Sequence, residues 1–149
     1  MMETAVKVQH TFSVALQWDN SANAAVLSAG NRMPLVVTSP AEFGGTDAAW
    51  SPEHLLAASL TSCYSTTFFY FARLFKVKVQ SFSIDADLEI EKEDKEPFKA
   101  SRFVLRPHIK FDRAVSEDVI EKILDKTKKY CIISNSLTGE EIIEPVISY

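Results

Sequence analysis

The segment from residue 51 to about residue 75 constrains the fold of this chain more than any other. Ser51 is a favoured N-cap, Pro52 suits the first helical position, and Glu53 complements the positive end of a helix. The second half of the segment is rich in phenylalanine, which implies burial on several sides. We therefore predict one long helix, and an intimate homodimer would supply the apolar partners that a single small domain lacks.

Strand patterns flank this helix on both sides. Partial alternation of apolar residues before it predicts strands over residues 6–18, 24–27 and 33–37. The segments predicted after it are a hairpin (77–90 and 101–111), a second helix capped by Ser116, a short helical or turn segment (131–137) and a final strand (142–147). Alternation along the returning strand of the hairpin predicts one inner face, and helical spacing predicts an inner stripe on the second helix. The face contains Phe103, Leu105, Ile109 and Phe111, and the stripe contains Val119, Ile120, Ile123, Leu124 and Thr127. Because helices and strands are segregated, we predict a single α+β domain over residues 1–149, with mainly antiparallel sheets and two main helices.

Composition excludes several classes of partner. The formal net charge of −4 favours neither nucleic acid nor an anionic membrane. The N-terminus has no basic region followed by an apolar run, and the longest apolar region is interrupted by polar residues. We therefore expect a cytoplasmic protein in a reducing compartment, which disfavours a permanent disulfide.

The chain has only two cysteines, Cys63 and Cys131, each in a context that we expect to be helical. Two thiols can act as an attacking and a resolving cysteine, or they can be ordinary buried residues. Helical spacing places Glu53 and Cys63 on one face, together with Leu56 and Leu60. At about 1.5 Å of rise per residue they lie roughly 15 Å apart, so a shared site needs a long cation or a second subunit.

A reactive thiolate at Cys63 needs a nearby cation, because the cysteine lies about three turns into its helix. The arginines available are Arg32, Arg73, Arg102, Arg106 and Arg113. A metal site is not predicted, since there is no Cys-x-x-Cys motif and the three histidines are scattered.

The stretch from Phe43-Gly44-Gly45 through Pro52-Glu53 to Cys63 resembles the osmotically inducible protein C and organic hydroperoxide resistance family (OsmC/Ohr). That family has a Gly-Gly loop, a Pro-Glu stretch and a cysteine ten residues after the glutamate. The segment after Cys131, with Ser134 and Leu137, resembles the second-cysteine segment of the family, although Ile132 replaces a common proline. The order of strands and helices also agrees, so the resemblance covers nearly the whole chain, and it implies the OsmC-like branch.

The resemblance implies an intertwined α+β homodimer with two sites at the subunit interface. It implies that Cys63 attacks an organic hydroperoxide and that Cys131 resolves the sulfenic acid as a disulfide. An external dithiol reductant, a lipoylated protein in several members, would restore the thiols without a metal or other cofactor. Glu53 would orient the activating arginine. The turn Asp19-Asn20-Ser21 has no arginine where the family carries it, and Arg32 is the nearest candidate.

Two alternatives use the same scaffold. One is a protein without catalytic activity that binds a small hydrophobic ligand in an interface pocket lined by Leu56, Leu60 and the aromatic cluster that begins at Phe68. The other is a redox sensor in which disulfide formation changes a contact with a partner. The pKa of the thiol separates the binder from the enzyme, because only the enzyme needs a depressed value.

Overall fold

A computed structural model describes residues 7–149. By its internal contacts the chain divides into two compact units, one ending at Pro52 and the other spanning Glu53–Tyr149. The first predicted strand begins at residue 6, which lies outside the described residues. The prediction of a single domain over residues 1–149 stays a prediction.

The N-terminal unit contains a three-stranded antiparallel meander. Its strands are β1 (Ala15–Asp19), β2 (Ala24–Ser28) and β3 (Leu35–Val37). The β1 strand is shorter than the predicted segment 6–18. Leu16 pairs with Leu27 and Trp18 with Ala25, so these side chains share one apolar face. Leu16 is 58% exposed and Trp18 48% exposed, so much of this face is uncovered in a single chain.

The predicted long helix is α1 (Pro52–Leu74). It is a single α-helix without a break, and its buried residues are Leu60, Tyr64, Phe68, Phe71 and Ala72. The hydroxyls of Ser59, Thr61, Ser62, Ser65 and Thr66 all donate to carbonyl oxygens three or four residues earlier in the helix. Such bonds satisfy the hydroxyl groups within the helix. Therefore α1 can pack against apolar surfaces without leaving these hydroxyl groups unpaired.

A second sheet, of four strands, packs against α1. The long strands β4 (Val79–Glu91) and β5 (Lys99–Phe111) form the predicted antiparallel hairpin. Both β6 (Glu140–Ile143) and β7 (Val146–Ser148) pair with β5 in parallel. A Cβ atom at Gly139 would lie 2.9 Å from the ring of Phe103, so only glycine lets the chain approach β5 so closely at this point.

The prediction of one continuous final strand over residues 142–147 is wrong. The segment is split into β6 and β7 around Pro145, which has no backbone N–H to donate to a ladder. Both pieces run parallel to β5, which makes this sheet mixed. The parallel direction follows from the helix that connects β5 to β6, because such a crossover returns the chain to the same end of the sheet.

The second predicted helix is α2 (Glu117–Tyr130). Ser116 occupies its N-cap position as predicted, although its side chain makes no capping hydrogen bond. The buried residues of α2 are Ile120, Ile123 and Thr127, all on the predicted inner stripe.

Two core clusters hold the C-terminal unit together. The first contains Phe68, Phe71, Ala72, Ile109, Phe111, Ile120 and Ile123. The second contains Leu60, Tyr64, Phe103, Leu105 and Cys131, with Cys63 packed against it. The predicted alternation along β5 is confirmed, because its inner side chains occupy both clusters. Each cluster lies between α1 and the inner face of β5.

Replacing Ile123 by alanine tests the role of the first cluster. Ile123 is fully buried. We expect the Ile123→Ala variant to lose about 2–5 kcal/mol of unfolding free energy, because the truncation leaves a cavity. Chemical denaturation measures this loss, and Lys122→Ala, on the exposed face of α2, serves as the control. A loss no larger than that of the control would contradict the assignment of Ile123 to the core.

Candidate functional site

Cys63 lies near the middle of α1 and packs against the second core cluster. Its side chain is partly exposed, and its thiol is free. Its helical neighbours Leu60 and Tyr64 are fully buried. The helix therefore holds Cys63 at the border between the core and the surface.

Cys131 follows the last residue of α2 and adopts an extended conformation, with φ −67° and ψ 111°. The expectation of a helical cysteine is therefore wrong at this position. The Cys131 backbone N–H donates to the Thr127 carbonyl oxygen at 3.0 Å, and its carbonyl oxygen accepts from Asn135 at 3.1 Å. These bonds fix the turn that directs the Cys131 side chain into the second core cluster, where it is fully buried.

The structure brings the two thiols together although they lie 68 positions apart in the sequence. Burial raises the pKa of Cys131, and the neighbouring Cys63 thiol raises it further. The hydroxyl and backbone N–H of Ser134 act in the opposite direction. The net effect is a raised pKa, which keeps the Cys131 thiol protonated at neutral pH.

Three polar atoms around the second core cluster are buried and have no hydrogen-bond partner among residues 7–149. They are Tyr64 Oη, Ser134 Oγ and Glu141 Oε1. Ser134 Oγ therefore influences Cys131 through proximity and not through a well-aligned bond. Burial raises the pKa of Tyr64, and the charges of Glu141 and Cys131 add to this effect. Glu141 and Cys131 therefore both act electrostatically on the Tyr64 hydroxyl.

Glu53 lies in the first turn of α1. Glu53 and Cys63 belong to one unbroken helix, so they remain roughly 15 Å apart along its axis. Glu53 Oε2 is buried and finds no hydrogen-bond partner within the described part of the chain. A buried carboxylate oxygen in this position requires a partner that can donate to it.

The arginines differ in what they bind. Arg102 and Arg106 form ion pairs on the outer face of the second sheet, while Arg73 lies ten residues after Cys63 on α1. The acceptors of the two sheet arginines are Glu89, Glu140, Asp87 and Glu144. Arg32 lies between β2 and β3, is exposed, and donates from Nη1 to the Ala29 carbonyl oxygen at 3.3 Å.

The residues predicted to line a ligand pocket have different environments. Leu60 is buried in the second core cluster and Phe68 in the first, each 1% exposed. Leu56 is partly buried against the second cluster. Leu60 and Phe68 therefore contribute to the interior of the chain itself, and their role in binding a ligand stays a prediction.

The structure also identifies residues that the sequence did not suggest. Tyr64 follows Cys63 directly, yet a tyrosine in an apolar helix gives no sign of a function. Glu141 pairs in register with Phe103 and shares the inward face of β6 with Ile143. Its inward direction depends on strand register, which is decided only in the folded sheet.

Metal-binding clusters and membrane-spanning helices are both absent from the described residues. No group of three or more His, Cys, Asp or Glu side chains within residues 7–149 is arranged to hold a metal ion. No helix in that range is long and apolar enough to cross a membrane.

Comparison with known families shows which protein family this chain belongs to. Residues 45–144 match the family described as OsmC-like protein. The chain belongs to this family. The match includes Glu53, Cys63 and Cys131. A search of curated protein sequences found no match.

Solved structures of OsmC-like proteins share the fold. An OsmC-like protein of unknown function from Vibrio cholerae has a TM-score of 0.84 and 19% identity, with 93% of this chain and 100% of that chain covered. An organic hydroperoxide resistance protein OsmC from Legionella pneumophila has a TM-score of 0.73 and 21% identity, with 96% and 100% covered. One from Elizabethkingia anophelis has a TM-score of 0.72 and 19% identity, with 96% and 99% covered. The predicted α+β, OsmC-like fold is confirmed.

The unequal burial of the two thiols predicts unequal reactivity. In the native protein we expect iodoacetamide to alkylate Cys63 at least about tenfold faster than Cys131, because Cys131 is buried and its pKa is raised. A raised pKa lowers the thiolate fraction at any pH below it. Peptide mass spectrometry measures both rates, and denatured protein, where the rates should converge, is the control. Equal rates in the native protein would contradict the structure.

Proposed function

We propose that this OsmC-like protein is a thiol peroxidase that reduces organic hydroperoxides. The observation that carries the proposal is the pairing of a partly exposed Cys63 with a fully buried Cys131 in one core cluster. Family membership supports it, since hydroperoxide resistance proteins share this fold. One exposed attacking thiol beside one protected thiol suits a two-cysteine cycle.

In the proposed cycle, the Cys63 thiolate attacks one oxygen of the hydroperoxide. The O–O bond breaks, an alcohol leaves after protonation, and Cys63 becomes a sulfenic acid. Cys131 then attacks the Cys63 sulfur, forming the disulfide and releasing the former hydroperoxide oxygen as water. The two thiols together supply the two electrons that reduce the hydroperoxide.

Regeneration needs an external dithiol, and a lipoylated protein is the proposed reductant. Because Cys131 is fully buried, the incoming thiolate attacks the disulfide at Cys63. The same dithiol then closes to its own disulfide and releases both protein thiols. This cycle uses no metal or other cofactor, and it returns the cysteines to free thiols, a form that suits the reducing cytoplasm.

Glu53 is proposed to orient an arginine that activates Cys63. Its buried Oε2 has no partner within residues 7–149, and an arginine from a second subunit would supply the donors. Arg32 of the partner subunit is the candidate, because within residues 7–149 of one chain it is exposed and donates to the Ala29 carbonyl oxygen of its own turn. Because one helix holds Glu53 and Cys63 roughly 15 Å apart along its axis, the Cys63 that Glu53 serves in this way would belong to the other subunit.

A homodimer is part of this proposal. The apolar face of the N-terminal sheet exposes Leu16 and Trp18, and the end of α1 exposes Leu74. Apolar surface of this kind marks an interface between chains. The intrahelical hydroxyl bonds of α1 agree with a helix that is further covered on dimerisation.

Cysteine variants test the peroxidase directly. We expect Cys63→Ser to reduce cumene hydroperoxide turnover to the uncatalysed rate, because the attacking sulfur is lost. We expect Cys131→Ser to be oxidised once and to accumulate the sulfenic acid, which dimedone traps. Peroxide consumption with a dithiol reductant, followed by mass spectrometry, measures both outcomes.

Full turnover by Cys63→Ser would refute the proposal. Wild-type protein that consumes no hydroperoxide, while its Cys63 keeps an ordinary thiol pKa of about 8.5, would favour the ligand-binding alternative. A disulfide that forms once and is not reduced by dithiols would instead favour the redox sensor.

Analytical sedimentation tests the proposed homodimer, because it measures the oligomeric state. We expect a dimer at micromolar concentration, since one chain leaves the apolar face of its N-terminal sheet half-covered. Trp18→Glu should raise the dissociation constant at least about tenfold, because a charge would be buried without a partner. Gln17→Glu, on the opposite face of β1, is the matched control. A folded wild-type monomer at this concentration would contradict the prediction.

A further inference from the structure

The second helix distributes its charged side chains unevenly. Lys122, Lys126 and Lys129 are spaced by four and three residues, so they share one flank of α2, which we call the lysine flank. Glu117 and Glu121 lie on the opposite flank, where they line a surface cavity beside β7. Like charges at spacings of three and four residues destabilise a helix. Helix stability therefore does not explain why three lysines share one flank.

The positive charge of the lysine flank is not neutralised by ion pairs. None of the ion pairs formed within residues 7–149 involves any of its three lysines. Instead, Lys126 Nζ lies 5.9 Å from the centre of the Phe71 ring, and Lys129 Nζ lies 5.6 Å from the centre of the Tyr130 ring. A ring face attracts a cation but leaves its charge in place. The flank therefore presents positive charge to a partner molecule.

A groove between α1 and α2 connects the lysine flank with the thiol pair. Its volume is about 490 Å³, and it is lined by Thr66, Thr67, Tyr70, Phe71, Lys126 and Tyr130. Thr66 and Thr67 lie three and four residues after Cys63, so they are its neighbours on the helix surface. Tyr130 directly precedes Cys131. The groove therefore extends from the lysine flank to the neighbourhood of both thiols.

The reductant that regenerates the thiols must satisfy two requirements. It must attack the disulfide at Cys63, because Cys131 is fully buried while Cys63 is partly exposed. It must also reach along the groove, since Cys63 lies seven residues before Tyr70, about 10 Å along the helix axis. A protein that contacts the lysine flank must therefore carry its dithiol on a flexible arm. A lipoyl group attached to a lysine side chain is such an arm.

We propose that the lysine flank of α2 is the docking surface for an acidic carrier protein that presents the reducing dithiol. This inference rests on the proposed peroxidase function, because it concerns the reductant of that cycle. Carboxylates of the carrier pair with the three lysines, and its dithiol arm lies in the groove between the helices. The formal net charge of the whole chain is −4, so attraction of an acidic carrier depends on a local positive patch, which also fixes one orientation.

The proposed docking surface is distinct from the elements offered above for the homodimer. Those elements are the N-terminal sheet and α1, and none of the three lysines belongs to them. One molecule can therefore use α2 for the carrier while it keeps its subunit contacts.

The exchange of electrons balances between the two proteins alone. One thiolate of the carrier attacks the Cys63 sulfur, the disulfide bond breaks, and Cys131 leaves as a thiolate that takes up a proton. The second carrier thiol then attacks the carrier sulfur of the mixed disulfide and releases Cys63. The carrier dithiol is oxidised to a disulfide, and the two electrons and two protons that it loses pass to the two cysteines.

Reduction can be measured without hydroperoxide. Diamide first converts the protein to the Cys63–Cys131 disulfide, and two reductants are then compared. The first is a reduced lipoyl domain of net negative charge. The second is free dihydrolipoamide, which is uncharged and needs no docking surface. Acid quenching followed by mass spectrometry gives the second-order rate constant for each reductant.

Reversing two charges of the lysine flank should affect only the protein reductant. We expect Lys126→Glu/Lys129→Glu to slow reduction by the lipoyl domain at least about tenfold, because the docking charges now repel the carrier. The rate with dihydrolipoamide should stay within about twofold of the wild-type rate. The difference between wild type and variant should shrink as the ionic strength rises from about 0.01 M to about 1 M, since the Debye length falls from about 30 Å to about 3 Å.

Two single variants provide a matched control. Lys128→Glu and Lys129→Glu each reverse one charge in the last turn of α2, and both positions are exposed. Lys128 lies seven residues after Glu121 and shares its flank, whereas Lys129 belongs to the lysine flank. We expect Lys129→Glu to slow reduction by the lipoyl domain at least about threefold and Lys128→Glu to retain the wild-type rate.

Each other outcome has a defined meaning. Equal rates for Lys129→Glu and Lys128→Glu would overturn the docking surface, as would a loss of rate that dihydrolipoamide shares. A lipoyl domain that does not reduce the wild-type disulfide, or a wild-type protein that forms no disulfide with diamide, would overturn it as well. If the lysine variants behave as expected but hydroperoxide does not oxidise Cys63, the peroxidase proposal fails and the docking surface stands.

Discussion

The packing of α1 on the inner face of β5 is the contact on which the C-terminal unit depends. Leu60 and Tyr64 meet Phe103 and Leu105 in one cluster, and one or two turns later Phe68 begins the other. Both clusters use residues from each element, so neither could form without this contact. The same packing carries Cys63 on α1 to the turn that holds Cys131. Stability and the candidate site therefore share a single interface within the chain.

The site combines an apolar environment with a few polar groups. Burial keeps Cys131 protonated and unavailable to bulky reagents, while partial exposure leaves Cys63 open to small ones. In the proposed peroxidase cycle, this asymmetry makes Cys63 the attacking thiol and Cys131 the resolving thiol.

Much of the local structure was predictable because it follows from short-range rules. Ser51-Pro52-Glu53 marks the start of a helix, and α1 begins at Pro52. The alternation along β5 correctly placed its inner side chains, and the inner stripe of α2 was also correct. The final segment was less predictable, because Pro145 divides it and its parallel pairing depends on where α2 returns the chain.

The sequence by itself determined the helix start, the strand alternation and the spacing of ten residues between Glu53 and Cys63, because all three are periodic properties of neighbouring residues. The tertiary structure alone decided that Cys131 ends a helix instead of lying within it, that Leu60 and Phe68 are core residues, and that Glu141 points inward. These facts depend on strand register and on the packing of distant segments. Hydrophobic patterning identifies the apolar residues that are buried, but only the assembled sheet determines which polar groups are buried beside them.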